Sequence, residues 1–327
     1  MLCLGIESTA HTFSCAIIKK KGKNGKILSD IRKIYRPSEG EGIHPREASR
    51  HHAENSPQVL SECLQKAGLQ VTDLDIISYA AGPGLGPCLR IGAVVARSLA
   101  TYYKIPIYPV NHALGHIELG KMLTGAKDPL VLLVSGGHTM ILAFLAGRWR
   151  VFGETLDITL GQLLDQIGRF AGFASPCGQR IEDLASKSSQ YEPLPYVVKG
   201  NDVSFSGLLS ATKRIFPKGL ETACFSLQET SFSMVGEAVE RALSFTGKKE
   251  FLVVGGVAAN KRLSEILQSI CNRHKCKFFV APKEYAGDCG SQISWVGLLE
   301  SSKKSGSKLE ETFVKQSWRL DTVDVSY

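Results

Sequence analysis

The feature that most restricts the fold of this chain is one short pattern met twice. Residues 2–18 and residues 130–145 each read as an apolar run, a turn of small and hydroxylated residues, and a second apolar run. The first turn is Glu7-Ser8-Thr9-Ala10-His11-Thr12 and the second is Ser135-Gly136-Gly137-His138-Thr139. Short apolar runs bounded by turn residues are strands. A tight turn between them exposes backbone N–H groups that suit phosphate oxygens. One such hairpin carries little information. Its recurrence at the start of each half predicts a duplicated α/β fold with a nucleotide held between the halves.

A length of 327 residues fits about two domains. With 43% hydrophobic and 21% charged residues, each half can bury a core, and global disorder is excluded. No apolar run is long enough to span a membrane, because the second turn interrupts the longest one. The N-terminus lacks a basic segment leading into an apolar one, so no signal peptide is expected. Nine cysteines occur without a CxxC pair, which points to reduced, mostly buried thiols in the cytoplasm. A net charge of +8 favours a polyanionic partner such as RNA. The densest basic cluster is Lys19-Lys20-Lys21-Gly22-Lys23-Asn24-Gly25-Lys26, expected at a hairpin tip. It is either an RNA contact or a solvated turn.

In the first half, strands run to Tyr35, and a polar helix starts at Arg46, with Pro57 expected to restart it. A strand over residues 75–81, the turn Gly82-Pro83-Gly84-Leu85-Gly86-Pro87, a helix over residues 89–103 and a strand over residues 107–110 follow. A helix then carries His112 and His116. The second half opens near Pro129. A helix is expected over residues 155–170, helices over 207–245 with a turn at Pro217, and a strand over 251–254 ending in Gly255-Gly256. A helix from Ala259, a strand over 278–282 and a helix near Ile293 complete it. The tail, residues 310–327, alternates like a strand and is expected to pack on the first half. The domains are thus expected at residues 1–128, with 295–327 returning to them, and at 129–294.

His112 and His116 stand four apart, which stacks both imidazoles on one helix face, where they can grip one metal ion or sit as surface or capping residues. Ala113 occupies the place of the general-base Glu in an HExxH protease, so that chemistry lacks its base. Asp288 follows a strand and can complete a metal site or cap the next helix. Gly255 and Gly256 let a flat ligand approach the backbone ahead of a helix N-terminus. Asp157 and Asp165, eight apart, are expected near one helix face, where they could hold ribose hydroxyls or a metal, or simply be solvated.

Together these residues resemble the tRNA threonylcarbamoyladenosine transferase family, TsaD in bacteria and the catalytic subunit of KEOPS in archaea and eukaryotes. That family once carried the label O-sialoglycoprotein endopeptidase. The resemblance rests on Gly5-Ile6-Glu7-Ser8-Thr9-Ala10-His11-Thr12, Gly42-Ile43-His44-Pro45, the turn at 82–87, Asn111-His112-Ala113-Leu114-Gly115-His116, Val134-Ser135-Gly136-Gly137-His138-Thr139, Gly153-Glu154-Thr155-Leu156-Asp157, Ser204-Phe205-Ser206-Gly207, Gln228-Glu229-Thr230 and Gly255-Gly256-Val257-Ala258-Ala259-Asn260. It runs from Met1 to the tail. The first motif and Val314-Lys315-Gln316 are similar to the archaeal and eukaryotic branch.

The resemblance implies the actin-like ATPase fold of sugar kinases and heat-shock proteins, with two duplicated α/β subdomains flanking a nucleotide cleft. It implies transfer of a threonylcarbamoyl group from threonylcarbamoyl-AMP to the exocyclic N6 amine of the adenosine 3′ of the anticodon, in tRNAs reading ANN codons. His112, His116 and Asp288 would hold one divalent metal, iron or zinc. Leu133, Val134, Ser135, Gly136 and Gly137 would line the substrate pocket, and Asp165, Gly178, Glu182 and Asn260 would grip the adenylate. Glu7, Ser8, Thr9, His11, Gly255 and Gly256 are candidates for a phosphate or nucleotide loop. No side chain is assigned as catalytic. The implied partners are tRNA, a small atypical protein kinase and small accessory subunits of KEOPS type. The alternative is a non-catalytic ATP-binding regulatory subunit of a kinase-containing complex.

The chain departs from the family pattern at three places. Leu133 stands where the archaeal and eukaryotic branch usually has Tyr, and with His138 looks more bacterial. Cys177 replaces a Gly and adds bulk beside Gly178. Cys289 follows Asp288 where Asn is usual, and is read as a buried spectator.

Overall fold

The computed structural model describes every residue but Ser326. The chain forms two units. Residues 1–36, 43–123 and 288–327 make the first, and residues 37–42 and 124–287 make the second.

In the first unit β1 (Leu2–Glu7), β2 (Thr12–Lys21) and β3 (Asn24–Ile34) form an antiparallel meander. Then come α1 (Pro45–Ala67), β4 (Ile76–Gly82), α2 (Gly86–Tyr103), β5 (Ile107–Asn111) and α3 (His112–Thr124). β4 joins β1 in parallel and β5 joins β4 in parallel, giving the order β3-β2-β1-β4-β5. β4 is buried along its whole length, which is why its sequence is an unbroken run of apolar and small residues rather than an alternation. The basic run does sit at the β2–β3 tip, but the turn is Gly22-Lys23, and Asn24-Gly25 belongs to β3. Lys20 is half-buried and tied down: its Nζ donates to the Leu298 carbonyl at 3.1 Å and to Ser302 Oγ.

α1 is continuous through Pro57, contrary to the expected restart. The proline lacks the N–H that would reach the Ala53 carbonyl, and Ser56 Oγ donates to that carbonyl instead at 3.3 Å. Gly68 closes the helix in the left-handed conformation at φ 67°.

The second unit repeats the plan. β6 (Leu130–Val134), β7 (Thr139–Leu145) and β8 (Arg148–Glu154) form a meander. α4 (Leu160–Phe170), α5 (Gly178–Ala185), the two-residue strands β9 (Val198–Lys199) and β10 (Asp202–Val203), α6 (Ser206–Ile215) and α7 (Leu220–Thr246) follow. β11 (Glu250–Val254), α8 (Lys261–Arg273), β12 (Lys277–Val280) and α9 (Lys283–Ala286) complete it. β11 pairs parallel to β6 and β12 parallel to β11, so the order β8-β7-β6-β11-β12 matches the first sheet strand for strand. Its core joins Leu130, Leu132 and Val134 of β6 to Leu163 and Ile167 of α4 and to Phe232, Val235 and Val239 of α7.

The helix expected from Thr155 begins at Leu160. Thr159 caps it, accepting from Gln162 N at 3.0 Å, while Gln162 Oε1 accepts from Thr159 N at 3.1 Å. Asp157 therefore lies outside α4 and shares no helix face with Asp165. Its carboxylate is already engaged, by Ser204 Oγ and Ser206 Oγ at 2.6 Å and by Phe205 N at 2.9 Å. Partial burial raises its pKa, but these donors outweigh that and hold it well below the usual carboxylate range.

The chain re-enters the first unit at Asp288, ahead of the expected residue 295, so that α10 (Gly290–Glu300) lies wholly there, across β1, β2 and β4. The tail is not a strand. It forms 3-10 turns at Leu309–Glu311 and Leu320–Thr322. Single bonds to loop and strand-end groups hold it, such as Lys315 N to the Ala81 carbonyl at 2.6 Å and Asn111 Nδ2 to the Trp318 carbonyl at 3.1 Å. Alternation without a ladder to join leaves irregular chain.

Candidate metal centre and ligand loops

α3 starts as β5 ends, because Asn111 turns the chain: its Oδ1 accepts from Leu114 N at 3.2 Å. The helix is buried from His112 to Gly120, so both histidines face protein. Their rings lie 4.7 Å apart at 83°. Asp288 Oδ1 sits 3.5 Å from His112 Nε2 and 3.3 Å from His116 Nε2. One ligand atom from each of the three residues falls within 4.8 Å of the others. Asp288 does not cap α10. The N-cap position is Cys289, whose side chain makes no cap bond.

A set of supports surrounds His112. Glu7, at the end of β1 and fully buried, lies with Oε2 2.8 Å from His112 Nδ1, while its Oε1 accepts from Thr9 N at 2.6 Å. Gln292 of α10 donates from Nε2 to Glu7 Oε2 at 3.2 Å. With Nδ1 engaged by Glu7, Nε2 is the nitrogen of His112 that faces Asp288. Burial alone would depress the pKa of His112, but the carboxylates of Glu7 and Asp288 raise it to about 9. Burial pushes the pKa of His116 down. Burial would raise that of Asp288, and the imidazoles, His112 first, reverse this and hold it far below the carboxylate range.

Two buried imidazole nitrogens and one half-buried carboxylate, close together, form a donor set that fits zinc with an open position or non-haem iron. His116 Nε2 is buried and makes no well-formed hydrogen bond, as expected of a nitrogen reserved for a metal.

The first hairpin serves this centre. Glu7 and Thr9 turn toward His112, with Thr9 Oγ1 3.4 Å from its Nδ1. Ser8 is buried beside α2, where a Cβ at Gly92 would stand 2.2 Å from its Oγ. His11 is half-buried at the start of β2. The reading of Glu7 as a candidate for a phosphate or nucleotide loop does not anticipate this partnership, since no local spacing links it to His112. Gln292 was missed for the same reason.

The second hairpin is built differently. Ser135 Oγ accepts from Gly137 N at 3.2 Å and His138 N at 3.1 Å. Gly136 and Gly137 are exposed with open space at the Gly136 Cβ position, whereas Leu133 and Val134 are fully buried and offer backbone only. Gly255, at φ 96°, lets β11 end against β6, since a Cβ there would meet the Val134 carbonyl oxygen at 2.3 Å. Gly256 is open.

Gly178 and Asn260 fall at the starts of α5 and α8, and Asp165 within α4 and Glu182 within α5 each reach one of those starts. Asp165 Oδ1 accepts from Cys177 N at 2.6 Å, just before Gly178 opens α5. Asn260 caps α8 through Leu263 N at 3.1 Å and donates to Gln228 Oε1 at 3.1 Å, and Glu182 Oε1 accepts from Lys261 N at 2.9 Å. Cys177 does not crowd this loop. It is fully buried and points at Gly168, whose absent Cβ would lie 2.2 Å from the Cys177 Cβ. Burial pushes its thiol up to about 11. Cys289 is likewise buried and its thiol raised, so it stays protonated.

Residues 26–295 match the family described as TsaD: tRNA N6-adenosine threonylcarbamoyltransferase. Over its full length the chain is 47% identical to a tRNA N6-adenosine threonylcarbamoyltransferase of Pyrobaculum islandicum, covering 98% of that protein. It is 48% identical to a probable bifunctional tRNA threonylcarbamoyladenosine biosynthesis protein of Methanothermobacter thermautotrophicus, of which it spans 61%. Among solved structures it is similar to HypF of T. kodakarensis, with a TM-score of 0.63 at 13% identity over 92% of this chain and 48% of that one. That likeness shows the fold, the actin-like ATPase fold.

Proposed function

The chain belongs to the TsaD family of tRNA N6-adenosine threonylcarbamoyltransferases, and on that premise we propose that it makes threonylcarbamoyladenosine in tRNA. The donor is threonylcarbamoyl-AMP, and the acceptor is the N6 amine of the adenosine 3′ of the anticodon in tRNAs reading ANN codons. The amine nitrogen attacks the carbamoyl carbon, the bond from that carbon to the phosphate oxygen breaks, AMP leaves with the electron pair, and the proton lost by the amine passes to water. The donor is already an activated anhydride, so orientation rather than a covalent enzyme intermediate carries the rate.

The observation that carries this reading is the His112–His116–Asp288 cluster with the buried Glu7 behind it. These three residues would hold one divalent iron or zinc ion, which supplies Lewis-acid polarisation of the donor. Glu7 orients His112 so that Nε2 is the ligating atom. In the second unit, Gly136, Gly137 and Gly256 offer open backbone to the donor, and Gly178 and Asn260 at the starts of α5 and α8, with Asp165 and Glu182 beside them, would grip the adenylate. We assign the chain KEOPS-type partners, a small kinase and accessory subunits. Its nine free, buried thiols suit a cytoplasmic setting, and among the described residues no helix is long and apolar enough to cross a membrane.

The test supplies unmodified ANN-decoding tRNA and threonylcarbamoyl-AMP, with and without those partners, and detects the nucleoside by mass spectrometry. His112→Ala is expected to abolish product and lose bound metal while keeping the wild-type far-UV circular dichroism. Full activity in metal-stripped protein would sink the metal role. Absence of product under every partner combination, with nucleotide still bound, would favour a non-catalytic nucleotide-binding subunit.

A further inference from the structure

Asp288 is the last residue before the turn into α10, so the direction of its carboxylate depends on how that helix begins. The helix has no cap of its own. The sheet provides one. Ser14 Oγ of β2 accepts from Gly290 N at 2.9 Å and donates to Asp30 Oδ1 at 3.3 Å. Asp30 of β3 accepts, at Oδ2, from Ser291 N at 3.2 Å and from Ser291 Oγ. Arg32 Nε donates to its other oxygen at 2.7 Å. The Asp30 side chain is only 6% exposed.

The seat itself is tight. A Cβ on Gly290 would stand 2.6 Å from Ala16 N, and one on Gly5 would stand 2.3 Å from the Gly290 carbonyl oxygen. The first turn of α10 therefore has one position on β1 and β2, locked by two side chains from β2 and β3. The same turn carries Gln292, which bonds Glu7.

We propose that Asp30 is a positioning residue of the metal centre: with Ser14 it fixes the first turn of α10, and so holds the Asp288 carboxylate opposite His112 and His116. This rests on the reading of those three residues as metal ligands. Asp30 touches no ligand atom and acts through Gly290 and Ser291. Asparagine at this position has a single acceptor oxygen, and its NH2 group would face either the Ser291 donors or Arg32, leaving buried donors unmatched.

The experiment strips the full-length protein of metal and titrates it with Co2+, reading affinity and the visible d–d spectrum, which reports ligand geometry. Asp30→Asn is expected to weaken binding by roughly 10–100-fold and to alter the spectrum. Ser14→Ala and Ser291→Ala should do so by less. Asp75→Asn is the control. Asp75 Oδ2 accepts from Leu2 N at 2.6 Å at the start of β1, so its loss costs stability without reaching α10, and its cobalt affinity and spectrum should stay at wild type. Wild-type affinity and spectrum in Asp30→Asn, or in both serine variants if Asp30→Asn does not fold, overturn the inference alone. Wild-type protein that binds no cobalt overturns the metal reading and the inference with it.

Discussion

His52 of α1 shows how one buried side chain sets a pH limit. It is fully buried, its Nε2–H donates to the Ala10 carbonyl at 3.0 Å, and desolvation lowers its pKa to about 4. The unfolded chain binds its proton near pH 6.5, the native chain only near pH 4. Stability from the neutral ring is fully present above pH 6.5 and lost as pH falls toward 4, by at most about 3 kcal/mol. The neighbouring charges, His51, His11 and Glu7, change the size but not the sign. Urea unfolding at pH 7, 6 and 5 should show this loss, and His52→Gln should flatten it. An equal slope in the variant would assign the acid sensitivity to other groups. The i, i+4 spacing made His112 and His116 legible in the sequence, because a helix converts that spacing directly into a shared face. Asp288, Glu7 and Gln292 reach the same point from distant segments, and no local period marks that. The family resemblance supplied Asp288, and only the folded chain shows what Glu7 and Gln292 do.

At the scale of elements, α4 and α5 meet most tightly at one point. Cys177 fills the space that Gly168 leaves. Gly168→Ala should cost about 1–3 kcal/mol by overpacking, measured by urea denaturation. In a Cys177→Gly background the same change should cost much less, a coupling that a double-mutant cycle reads. Equal costs in both backgrounds would show that the helices can shift apart. This contact also explains why the departure at 177 looked more disruptive in sequence than it is: the compensating glycine is on another helix. The start of α4 was misplaced for a related reason. Residues 155–159 contain no glycine or proline to stop a helix, but the capping pair of Thr159 and Gln162 decides the boundary, and Asp157 is drawn off to Ser204 and Ser206.

At the scale of the molecule, the repeated hairpin was the most legible feature, since two apolar strands and a small-residue turn demand the same meander wherever they occur. The parallel strands β4, β5, β11 and β12 then fall into matching order. The tail was the least legible, because alternation alone does not supply an edge to pair with. Metal bound at His112, His116 and Asp288 ties together chain that residues 124–287 of the second unit separate in sequence. At a concentration about 100 times Kd, zinc should stabilise the first unit by about 2.7 kcal/mol, seen as a raised transition in scanning calorimetry that His112→Ala abolishes. An unchanged transition in wild type would argue against the site.

That same interruption bears on how the protein is born. Domains emerging from a ribosome usually complete themselves in order, the N-terminal one first. Here β1 to α3 leave the exit tunnel without α10, and the second unit is fully synthesised before that helix appears. The strand faces that α10 will cover, and the glycine seat at Gly5, stay bare during that interval. The second unit can finish while the first waits, so a nascent chain stalled just before Gly290 would carry one folded unit and an exposed apolar sheet, the form on which a chaperone would act.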